Sequence, residues 1–456
     1  MNTMEKAFAY VDEHFDEMLE ELKGVCRCAS VASNAQGLRH ARERIAQDMR
    51  RSGLNPKFCD VEGGNALISA ELRGESAETI LFYNHYDVVE PGKPENWTNG
   101  APFEPEIRDG RMYARGVSDD KGALYSRIHA VRALTACGKL PVTIKFLTEG
   151  DEETSSPSMT KFAREHADEF KDLISSDVCL WENGRVDAAG HPWLRCGVRG
   201  SIAFDLRVTT ANSDVHGRMG ATIPSASWRL VWALSTLKTP DERIAIEGFY
   251  DDVCPATEAD LQVLRDFPYA EEAQKKSLGI ASYLRGATGE ALKRQVYLEP
   301  SLSICGLEAG ETHNGVRGIV PHTAYARISF YLVADQNPAE LESKLRRHLD
   351  AHGFSDVEIT RRGGSSRPVR TSPDHPFCAR ARAAAQSVYE QPMVIELTQL
   401  GGGPAGILRD ALPCLPIFGV GPASVSGNHH APDENLVIED YRRAVKYLIA
   451  LMCSYE

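Results

Sequence analysis

The chain has 456 residues, of which 42% are hydrophobic and 25% charged, and its formal net charge is −13. This composition is typical of a soluble globular protein that is long enough for two or more domains. The acidic balance argues against nucleic acid or an anionic membrane as a partner.

The N-terminal segment predicts an amphipathic helix and gives no sign of export. The stretch MNTMEKAFAYVDEHFDEMLEELKGV lacks the basic region and unbroken apolar core of a signal peptide, and its apolar residues recur at helical spacing. No apolar run approaches the ~20 residues that a membrane span requires. The 11 cysteines form no CxxC pair, which argues against a cysteine-rich zinc site and is typical of reduced thiols. We therefore expect a cytoplasmic protein.

Three compact apolar runs, each ending in polar residues, occur in the first part of the chain. They are ETILFYNHYDVV (78–89), VTIKFLTEG (142–150) and DVCLWENG (177–184). Between the first two, the apolar residues of 124–134 recur at helical spacing, and Gly138 ends the pattern. This strand–helix–strand order predicts an α/β sheet with helices on its faces, and ligands bind such sheets at the carboxyl ends of the strands.

A separate α+β domain is predicted between residues 200 and 364. It contains two strand-like stretches with one solvated face each, SIAFDLRVTT and AYARISFYLVAD, and two helical stretches, SASWRLVWALSTL and AELESKLRRHL. RRGGSSRP (361–368) is predicted to be the linker that leads back to the first sheet. The sequence thus predicts a first domain of residues 1–199 and 365–456, with the second domain inserted.

Residue types that commonly bind metals follow the apolar runs and recur near the C-terminus. They are His85 and Asp87; Asp119 and Asp120; Glu152 and Glu153; Glu182; and His429 and His430. Each has an ordinary structural explanation when taken alone. An Asp pair is a common helix N-cap, an acidic cluster is usually a solvated loop, and Glu182 before Asn-Gly could belong to a turn. A histidine at a strand end or in a surface pair usually makes only hydrogen bonds.

The whole pattern favours a metal site. Side chains at the carboxyl ends of different strands can converge on one cleft. Bringing their carboxylates together without a cation would cost several kcal/mol in repulsion and desolvation, which a dication removes. Nitrogen and oxygen ligands without thiolate suit zinc, manganese or cobalt, and one carboxylate can bridge two ions about 3.5–4 Å apart.

These residues resemble the motifs of the di-metal amidohydrolase family that includes carnosinase-type dipeptidases, aminoacylases, glutamate carboxypeptidases and succinyl-diaminopimelate desuccinylases. HYD (85–87) is similar to the family's His-x-Asp, GVSDDKG (116–122) to its Asp-x-Lys-Gly, EGDEE (149–153) to its paired Glu, and HAPDE (430–434) to its terminal His-x-x-x-Glu. The motifs occur in the family's order along nearly the whole chain. The resemblance implies a zinc-peptidase-like α/β catalytic domain, with a mixed sheet flanked by helices, and an inserted α+β lid and dimerisation domain.

The resemblance also implies two divalent metal ions. One would be bound by His85, Asp119 and Glu182. The other would be bound by Asp119, Glu153 and His430, so that Asp119 bridges the two. Zinc is the expected metal, with manganese or cobalt as alternatives.

Two further residues would act beside the metals in the family's mechanism. Asp87 would orient the ring of His85 and fix its tautomer. Glu152 would be the general base that takes a proton from the water between the metals and passes it to the leaving amine. A cis peptide bond between Asp119 and Asp120 is a further expectation.

Glu182 competes with Asp177 for the ligand position, because family members carry either Asp or Glu there. Glu182 lies at the end of its predicted strand, 18 residues before Gly200. Asp177 lies at the beginning of that strand, away from a site at the carboxyl ends. We therefore prefer Glu182.

The inserted domain implies a homodimer. In the family, this lid carries the dimer interface and sends a histidine into the partner's active site. SDVHGRMGATIPSA resembles that segment, so His216 is the candidate, and it would help to stabilise the tetrahedral oxyanion. Its alternative is an ordinary histidine in a turn.

The expected substrate is a small peptide. SDDKG and the long lid favour the dipeptidase branch, although TQLGGGP has Gln399 and Gly402 where that branch commonly has Glu and Ser. Tyr331 stands where the branch has a lid arginine, and the sequence leaves open whether Arg317 or Arg327 replaces it.

Two alternatives to a dipeptidase remain. The first is an N-acyl or N-carbamoyl amino acid amidohydrolase of the same family, which the departures near Gln399 keep open. The second, more remote, is a homologue that has lost catalysis and serves in binding. The presence of Glu152 and of all the expected metal ligands argues against the second.

Overall fold

The apolar runs of the sequence form strands of two separate sheets in the computed structural model of the protein. The structure describes residues 1–138, 140–182, 184–311, 315 and 317–455. One unit comprises Met1–Gly197, Arg370–Gln399 and Ile407–Glu456, and the other comprises Val198–Val369 and Leu400–Gly406. Within the described ranges, no helix is both long enough and apolar enough to span a membrane.

Helices and strands are interspersed along the described chain, often in runs of one kind. The α-helices of the described residues are α1 (Thr3–Glu13), α2 (Phe15–Cys26), α3 (Ala35–Arg51), α4 (Lys121–Ala136), α5 (Pro157–Glu165), α6 (Ala167–Ile174), α7 (Ala226–Thr236), α8 (Glu258–Asp266), α9 (Glu271–Leu278), α10 (Gly289–Leu298), α11 (Pro338–Ala351), α12 (Pro376–Gln386), α13 (Ala405–Ala411) and α14 (Ile438–Cys453). The strands are β1 (Lys57–Cys59), β2 (Leu67–Leu72), β3 (Thr79–His85), β4 (Glu106–Arg108), β5 (Arg111–Tyr113), β6 (Thr143–Glu149), β7 (Val178–Trp181), β8 (Arg185–Val186), β9 (Trp193–Arg195), β10 (Gly197–Val198), β11 (Gly200–Thr209), β12 (Val215–His216), β13 (Ser301–Ala309), β14 (Ile319–Val320), β15 (Thr323–Leu332), β16 (Glu358–Ser366), β17 (Val369–Arg370), β18 (Val394–Glu396), β19 (Ile417–Gly419), β20 (Ala423–Ser424) and β21 (Asn435–Val437).

The main sheet of the first unit is mixed and has the order β1-β2-β6-β3-β7-β19-β9-β18. Strands β6, β3, β7 and β19 are parallel to one another, whereas β2 and β9 pair with this group in the antiparallel direction. The central strands β3 and β7 are buried almost throughout, which is why their sequences are nearly continuous apolar runs. The mixed sheet flanked by helices that the resemblance implies is confirmed, and its parallel strands bring their carboxyl ends to one edge.

Helix α4 holds the carboxyl ends of strands β3 and β7 in place. It packs against β3 and against helices α1, α2 and α14, and its residues from Lys121 to Leu134 are all buried. The buried guanidinium of Arg127 donates to the carbonyl of Trp181 at 2.6 Å and to the side-chain oxygen of Asn84 at 2.7 Å. These bonds fix the ends of β7 and β3 relative to each other.

The N-terminal segment forms two helices rather than the single helix predicted from its periodicity. Helix α1 ends and α2 begins around His14, whose backbone leaves the helical conformation. The His14 ring stacks on Tyr10, with 4.0 Å between the ring centroids, and its Nδ1–H donates to the Tyr10 carbonyl at 3.0 Å. The apolar face continues across this break, which is why the periodicity does not reveal it.

The sheet of the second unit is antiparallel and has the order β13-β15-β11-β16. Alternate residues of β11 and β15, such as Phe204 and Phe330, enter one apolar core with side chains of α7 and α11. The opposite face carries polar side chains, as the alternating sequence predicts.

The linker predicted at 361–368 is wrong for most of its length, because residues 361–366 belong to β16. This strand pairs with β11 in the antiparallel direction, from Glu358 opposite Arg207 to Ser366 opposite Ser201. The register shifts between Ser201 and Ala203, and Gly363, with φ 62°, lies in the resulting bulge. The Gly and Ser residues that resembled a linker therefore serve a bulged edge strand.

Candidate metal centre

His85 ends strand β3 and points a ring nitrogen at two carboxylates. It is 1% exposed, and its Nε2 lies 3.2 Å from Oδ1 of Asp119 and 3.8 Å from Oε2 of Glu182. Its Nδ1–H donates to the backbone carbonyl of Asp87 at 3.0 Å. Since that bond uses Nδ1, Nε2 is the nitrogen available to a metal ion.

Asp87 links His85 to the loop after β6. Its backbone carbonyl holds His85, while its carboxylate oxygen lies 3.4 Å from the same Nδ1. The two carboxylate oxygens accept the backbone N–H groups of Glu152 at 3.2 Å and Glu153 at 3.0 Å. Asp87 thus contacts His85 mainly through its backbone carbonyl, and its carboxylate holds the backbone of the two glutamates, a contact that the sequence did not predict.

Glu434 fixes the loop that carries Asp119. Its buried carboxylate accepts the backbone N–H groups of Gly116 at 2.8 Å and of Ser118 and Asp119 at 2.9 Å each. It also pairs with the buried guanidinium of Arg115 at 2.6 Å. The sequence identified Glu434 as the last residue of the HAPDE motif (430–434) but gave it no role.

Two groups of three side chains bring their ligand-type atoms within 4.8 Å of one another. One group is His85, Asp119 and Glu153, and the other is His85, Asp120 and Glu182. The peptide bond between Asp119 and Asp120 is cis, as the resemblance leads us to expect. The second group differs from the predicted ligand set, because Asp120 stands in it where the resemblance implies Asp119.

Asp120 is held at the centre by the end of β3. Its Oδ2 accepts from the side-chain amide of Asn84 at 2.6 Å and from the backbone N–H of His85 at 3.2 Å. Its Oδ1 is buried and has no hydrogen-bond partner among the described residues. Burial raises the pKa of Asp120 to about 6, against the opposing positive charges of His85 and Arg127. The sequence placed Asp120 among the residues of metal-binding type, with a helix N-cap as its ordinary explanation, but assigned it no ligand role.

His430 approaches the first group from the C-terminal segment. Its Nε2 lies 3.2 Å from Oδ2 of Asp119 and 3.3 Å from Oε1 of Glu153. Nε2 of its neighbour His429 instead forms a 2.8 Å hydrogen bond with the hydroxyl of Ser118. His430, Asp119 and Glu153 are the three residues that the resemblance implies for the second ion.

The carboxylates and histidines of the cluster lie close together, and this shifts their pKa values. Burial alone would raise the pKa of Asp119, but hydrogen bonds from His430 and His85 hold it well below its usual value. Hydrogen bonds to Asp119 and Glu153 raise the pKa of His430 to about 10. Burial, reinforced by the charge of Glu152, raises the pKa of Glu182 well above its usual value.

The cluster fits divalent metal ions. Oε2 of Glu182 is buried and makes no hydrogen bond within the described part of the chain. An orphaned buried carboxylate oxygen is costly, and a cation would compensate it. The donors are nitrogens and oxygens without thiolate, which suits zinc, manganese or cobalt.

Glu152 lies beside this cluster on the loop after β6. Its backbone is held by Asp87, and its side chain is partly exposed. Burial, with the charges of Glu153 and Asp119, raises the pKa of Glu152 to about 8, although His85 opposes this.

Asp177, the competing ligand candidate, lies at the opposite end of β7 from Glu182. Its Oδ2 accepts the backbone N–H of Thr79, the first residue of β3, at 2.7 Å. It thus caps the amino end of the neighbouring strand. Glu182 follows the carboxyl end of β7, as expected.

His216 lies in the second unit and remains a prediction. It belongs to β12, which pairs with β14, and its side chain is exposed. Its Nδ1 accepts the backbone N–H of Arg218 at 3.1 Å, so its Nε2 is the nitrogen left for another partner.

The positions where the sequence departs from the dipeptidase branch have defined surroundings. Oε1 of Gln399 accepts from the guanidinium of Arg195 at 3.1 Å. A Cβ atom at Gly402 would lie 3.0 Å from the hydroxyl oxygens of both Ser201 and Ser366. Two strand hydroxyls therefore crowd the space into which a serine at 402 would project.

The two arginines considered as substitutes for a lid arginine differ in their surroundings. Arg327 makes two hydrogen bonds to the carboxylate of Asp205, at 2.8 Å and 3.2 Å. Arg317 is exposed. Arg327 is therefore already engaged by an acid of its own sheet.

The chain matches the family model described as peptidase family M20/M25/M40 over residues 81–454. The Beta-Ala-His dipeptidase of Rattus norvegicus is 29% identical over 372 residues, which is 76% of this chain and 74% of that protein. The cysteinylglycine-S-conjugate dipeptidase of Corynebacterium striatum is 26% identical over 434 residues, or 93% of this chain and 91% of that one. Among solved structures, an M20 family metallo-carboxypeptidase from Sulfolobus solfataricus is 29% identical, with a TM-score of 0.87 over 96% of this chain and 99% of that one.

Proposed function

The chain belongs to peptidase family M20/M25/M40, and on that basis we propose that it is a metal-dependent dipeptidase that hydrolyses the amide bond of a small peptide. The observation that carries the proposal is the cluster of nitrogen and oxygen donors at the carboxyl ends of parallel strands, beside Glu152. The names of two relatives, a Beta-Ala-His dipeptidase and a cysteinylglycine-S-conjugate dipeptidase, support a dipeptide as the substrate.

We propose that the cluster holds two divalent ions, with zinc as the expected metal. The proposed ligands are His85, Asp119, Glu153, Glu182 and His430. The contacts of Asp119 with both His85 and His430 support its role as the shared ligand. Asp120, which belongs to the group with His85 and Glu182 and has one buried oxygen without a hydrogen bond among the described residues, is an additional candidate ligand.

Glu152, Asp87 and Glu434 have different roles in the proposed hydrolysis. When bound, the divalent ions lower the pKa of water and polarise the scissile carbonyl. Glu152 accepts the proton of the attacking water on its carboxylate and transfers it to the nitrogen of the leaving amine. Asp87 keeps Glu152 and Glu153 in place through their backbone N–H groups, and Glu434 does the same for Asp119.

An N-acyl or N-carbamoyl amino acid is the alternative substrate class. The observation that favours it is Gln399, which is uncharged where the dipeptidase branch commonly carries a Glu. Such substrates lack the free amino group of a dipeptide, so the two classes differ in the charge they place in the site.

A hydrolysis screen separates these substrates. The enzyme is incubated with zinc or manganese, and release of amino acid is measured from dipeptides, tripeptides, and N-acetyl and N-carbamoyl amino acids. We expect dipeptides to be hydrolysed at least about tenfold faster than the N-acyl compounds, because a single missing polar contact typically costs about that factor. Faster release from N-acyl substrates would overturn the dipeptidase proposal, and faster release from the end of tripeptides would favour a carboxypeptidase.

We further propose that the second unit forms a homodimer through α7 and β13. Trp228, Val231 and Trp232 lie on one stripe of α7 and are 60%, 42% and 53% exposed. Strand β13 lies at an edge of its sheet and exposes Ile304 and Leu307. An exposed apolar stripe and an open strand edge are each typical interaction surfaces.

The dimer is tested by sedimentation velocity on the double variant Trp228→Lys/Trp232→Lys. Losing two large apolar side chains from an interface should weaken association at least about tenfold. The variant should therefore sediment as a monomer, whereas Leu278→Lys, which changes an equally exposed residue of α9, should remain dimeric. If His216 acts across this interface, the monomer and His216→Ala should both lose activity while keeping their metal. A double variant with the sedimentation coefficient of the wild type would refute the interface.

A further inference from the structure

An open cleft of about 270 Å³ lies beside the metal centre within the first unit. Its walls include Arg185, Arg195, Ser424, Asn428 and His429. His429 connects the cleft to the centre, because its Nδ1 lies 4.0 Å from Oδ2 of Asp119. Another wall residue, Gly184, follows the proposed ligand Glu182 by two positions.

Two guanidinium groups in the cleft share one carboxylate. Nε of Arg195 lies 2.9 Å from one oxygen of Glu396, and Nη2 of Arg185 lies 3.2 Å from the other. Glu396 is 2% exposed, so it lies behind the cleft surface rather than on it. None of the described residues that line the cleft is itself a carboxylate. Together, these three side chains carry one net positive charge next to the centre.

Gln399 contacts Arg195 without adding a negative charge to these side chains. Nη1 of Arg195 donates to Oε1 of Gln399 at 3.1 Å. A glutamate at this position would add a second carboxylate to the two guanidiniums and bring their sum to zero. The uncharged amide orients Arg195 and contributes no charge of its own.

A purely structural role explains the pairing of Arg195 with Glu396 but not the position of Arg185. Arg195 and Glu396 are direct neighbours on the paired strands β9 and β18, where opposite charges are a common stabilising pair. Arg185 comes from β8 and has no place in that register. Its guanidinium stacks over the ring of Trp193 at 3.8 Å, which holds the planar group at the cleft wall.

We propose that this cleft binds the free C-terminal carboxylate of the substrate, with Arg185 and Arg195 as its specificity-determining residues. This inference rests on the proposed function and identifies the part of the peptide that binds in the cleft. A guanidinium matches a carboxylate in geometry and charge, and this pair is held in position before the ligand arrives. A cleft of this size suits one amino-acid residue rather than a long chain.

The proposal is tested by calorimetric titration of the zinc-loaded Glu152→Gln protein, which is expected to bind peptide without turning it over. The probes are the dipeptide Ala-Ala and its C-terminal amide, Ala-Ala-NH2. We expect Ala-Ala to bind at least tenfold more tightly. Adding Arg185→Gln or Gln399→Glu should each reduce that preference about tenfold, because the first removes a guanidinium and the second cancels its charge.

The matched control is Arg164→Gln, which removes an exposed arginine of the same unit that does not line the cleft. It should leave the preference unchanged. Zinc content and melting temperature, measured for every variant, identify any that fail to fold, and Gln399→Glu leaves both arginines intact.

Equal affinity for the two probes, no binding of Ala-Ala, or an unchanged preference in both folded variants would overturn the proposal. A carboxylate preference that depends on Arg185, found together with a wild-type protein that hydrolyses no dipeptide, would instead leave the cleft standing and refute the proposed function.

Discussion

Replacing Glu152 with glutamine should lower kcat for the preferred dipeptide by about 10³-fold, because general acid–base catalysis typically contributes 10²–10⁴-fold. Glutamine has nearly the same shape but cannot accept a proton at neutral pH. Asp87 contacts the backbone of Glu152, so the loop should keep its position in the variant. The metal ligands are unchanged, and bound zinc, measured by atomic absorption, should equal that of the wild type.

Glu165→Gln is the matched control for this substitution. Glu165 ends helix α5 of the same unit, and its side chain is 42% exposed. The control should retain full activity, since an exposed carboxylate of this kind contributes little. Retention of more than a tenth of kcat by Glu152→Gln, with normal zinc content, would show that another group removes the proton.

Replacing Asp119 with asparagine should remove most of the bound metal and at least about 100-fold of the activity. The carboxylate touches His85 on one side and His430 on the other, at 3.2 Å in each case. Changes in residues that merely orient ligands typically cost 10–100-fold, so loss of a shared ligand should cost at least as much. Metal content and kcat/KM are both measured, since the loss of metal should precede and explain the loss of rate.

Asp177→Asn provides the control and also tests Asp177, the competing ligand candidate that directly precedes β7. The Asp177 carboxylate accepts the N–H of Thr79 at the amino end of β3, and an asparagine oxygen can accept the same bond. This variant should keep its metal and its activity. The reverse pattern, with metal lost from Asp177→Asn and kept by Asp119→Asn, would contradict the proposed centre.

The local pattern of the sequence was sufficient to predict the fold class. The apolar runs at 79–85, 143–149 and 178–181 are the buried strands β3, β6 and β7, and their nearly continuous hydrophobicity reflects cover on both faces. Periodicity was insufficient at residues 361–366, where Gly and Ser resembled a linker. Those residues are ordered by backbone pairing with β11, and backbone pairing leaves little trace in side-chain type.

The candidate site, too, could be predicted only in part from the sequence. Motif spacing singled out the candidate ligands, of which His85, Glu153 and Glu182 lie at or just after the end of an apolar run. It could not reveal that Glu434 binds three backbone N–H groups more than 300 positions earlier, or that Arg185 and Arg195 share Glu396. Such contacts depend on the folded path of the chain, and no local signal in the sequence encodes them.

The proposal that two metal ions share Asp119 is tested most directly by anomalous diffraction from crystals of the zinc-loaded protein. We expect two peaks at the zinc edge about 3.5–4 Å apart, with the Asp119 carboxylate between them. His430 and Glu153 should lie next to one peak, and His85 and Glu182 next to the other. A single peak, or a pair of peaks that does not touch Asp119, would contradict the di-metal centre.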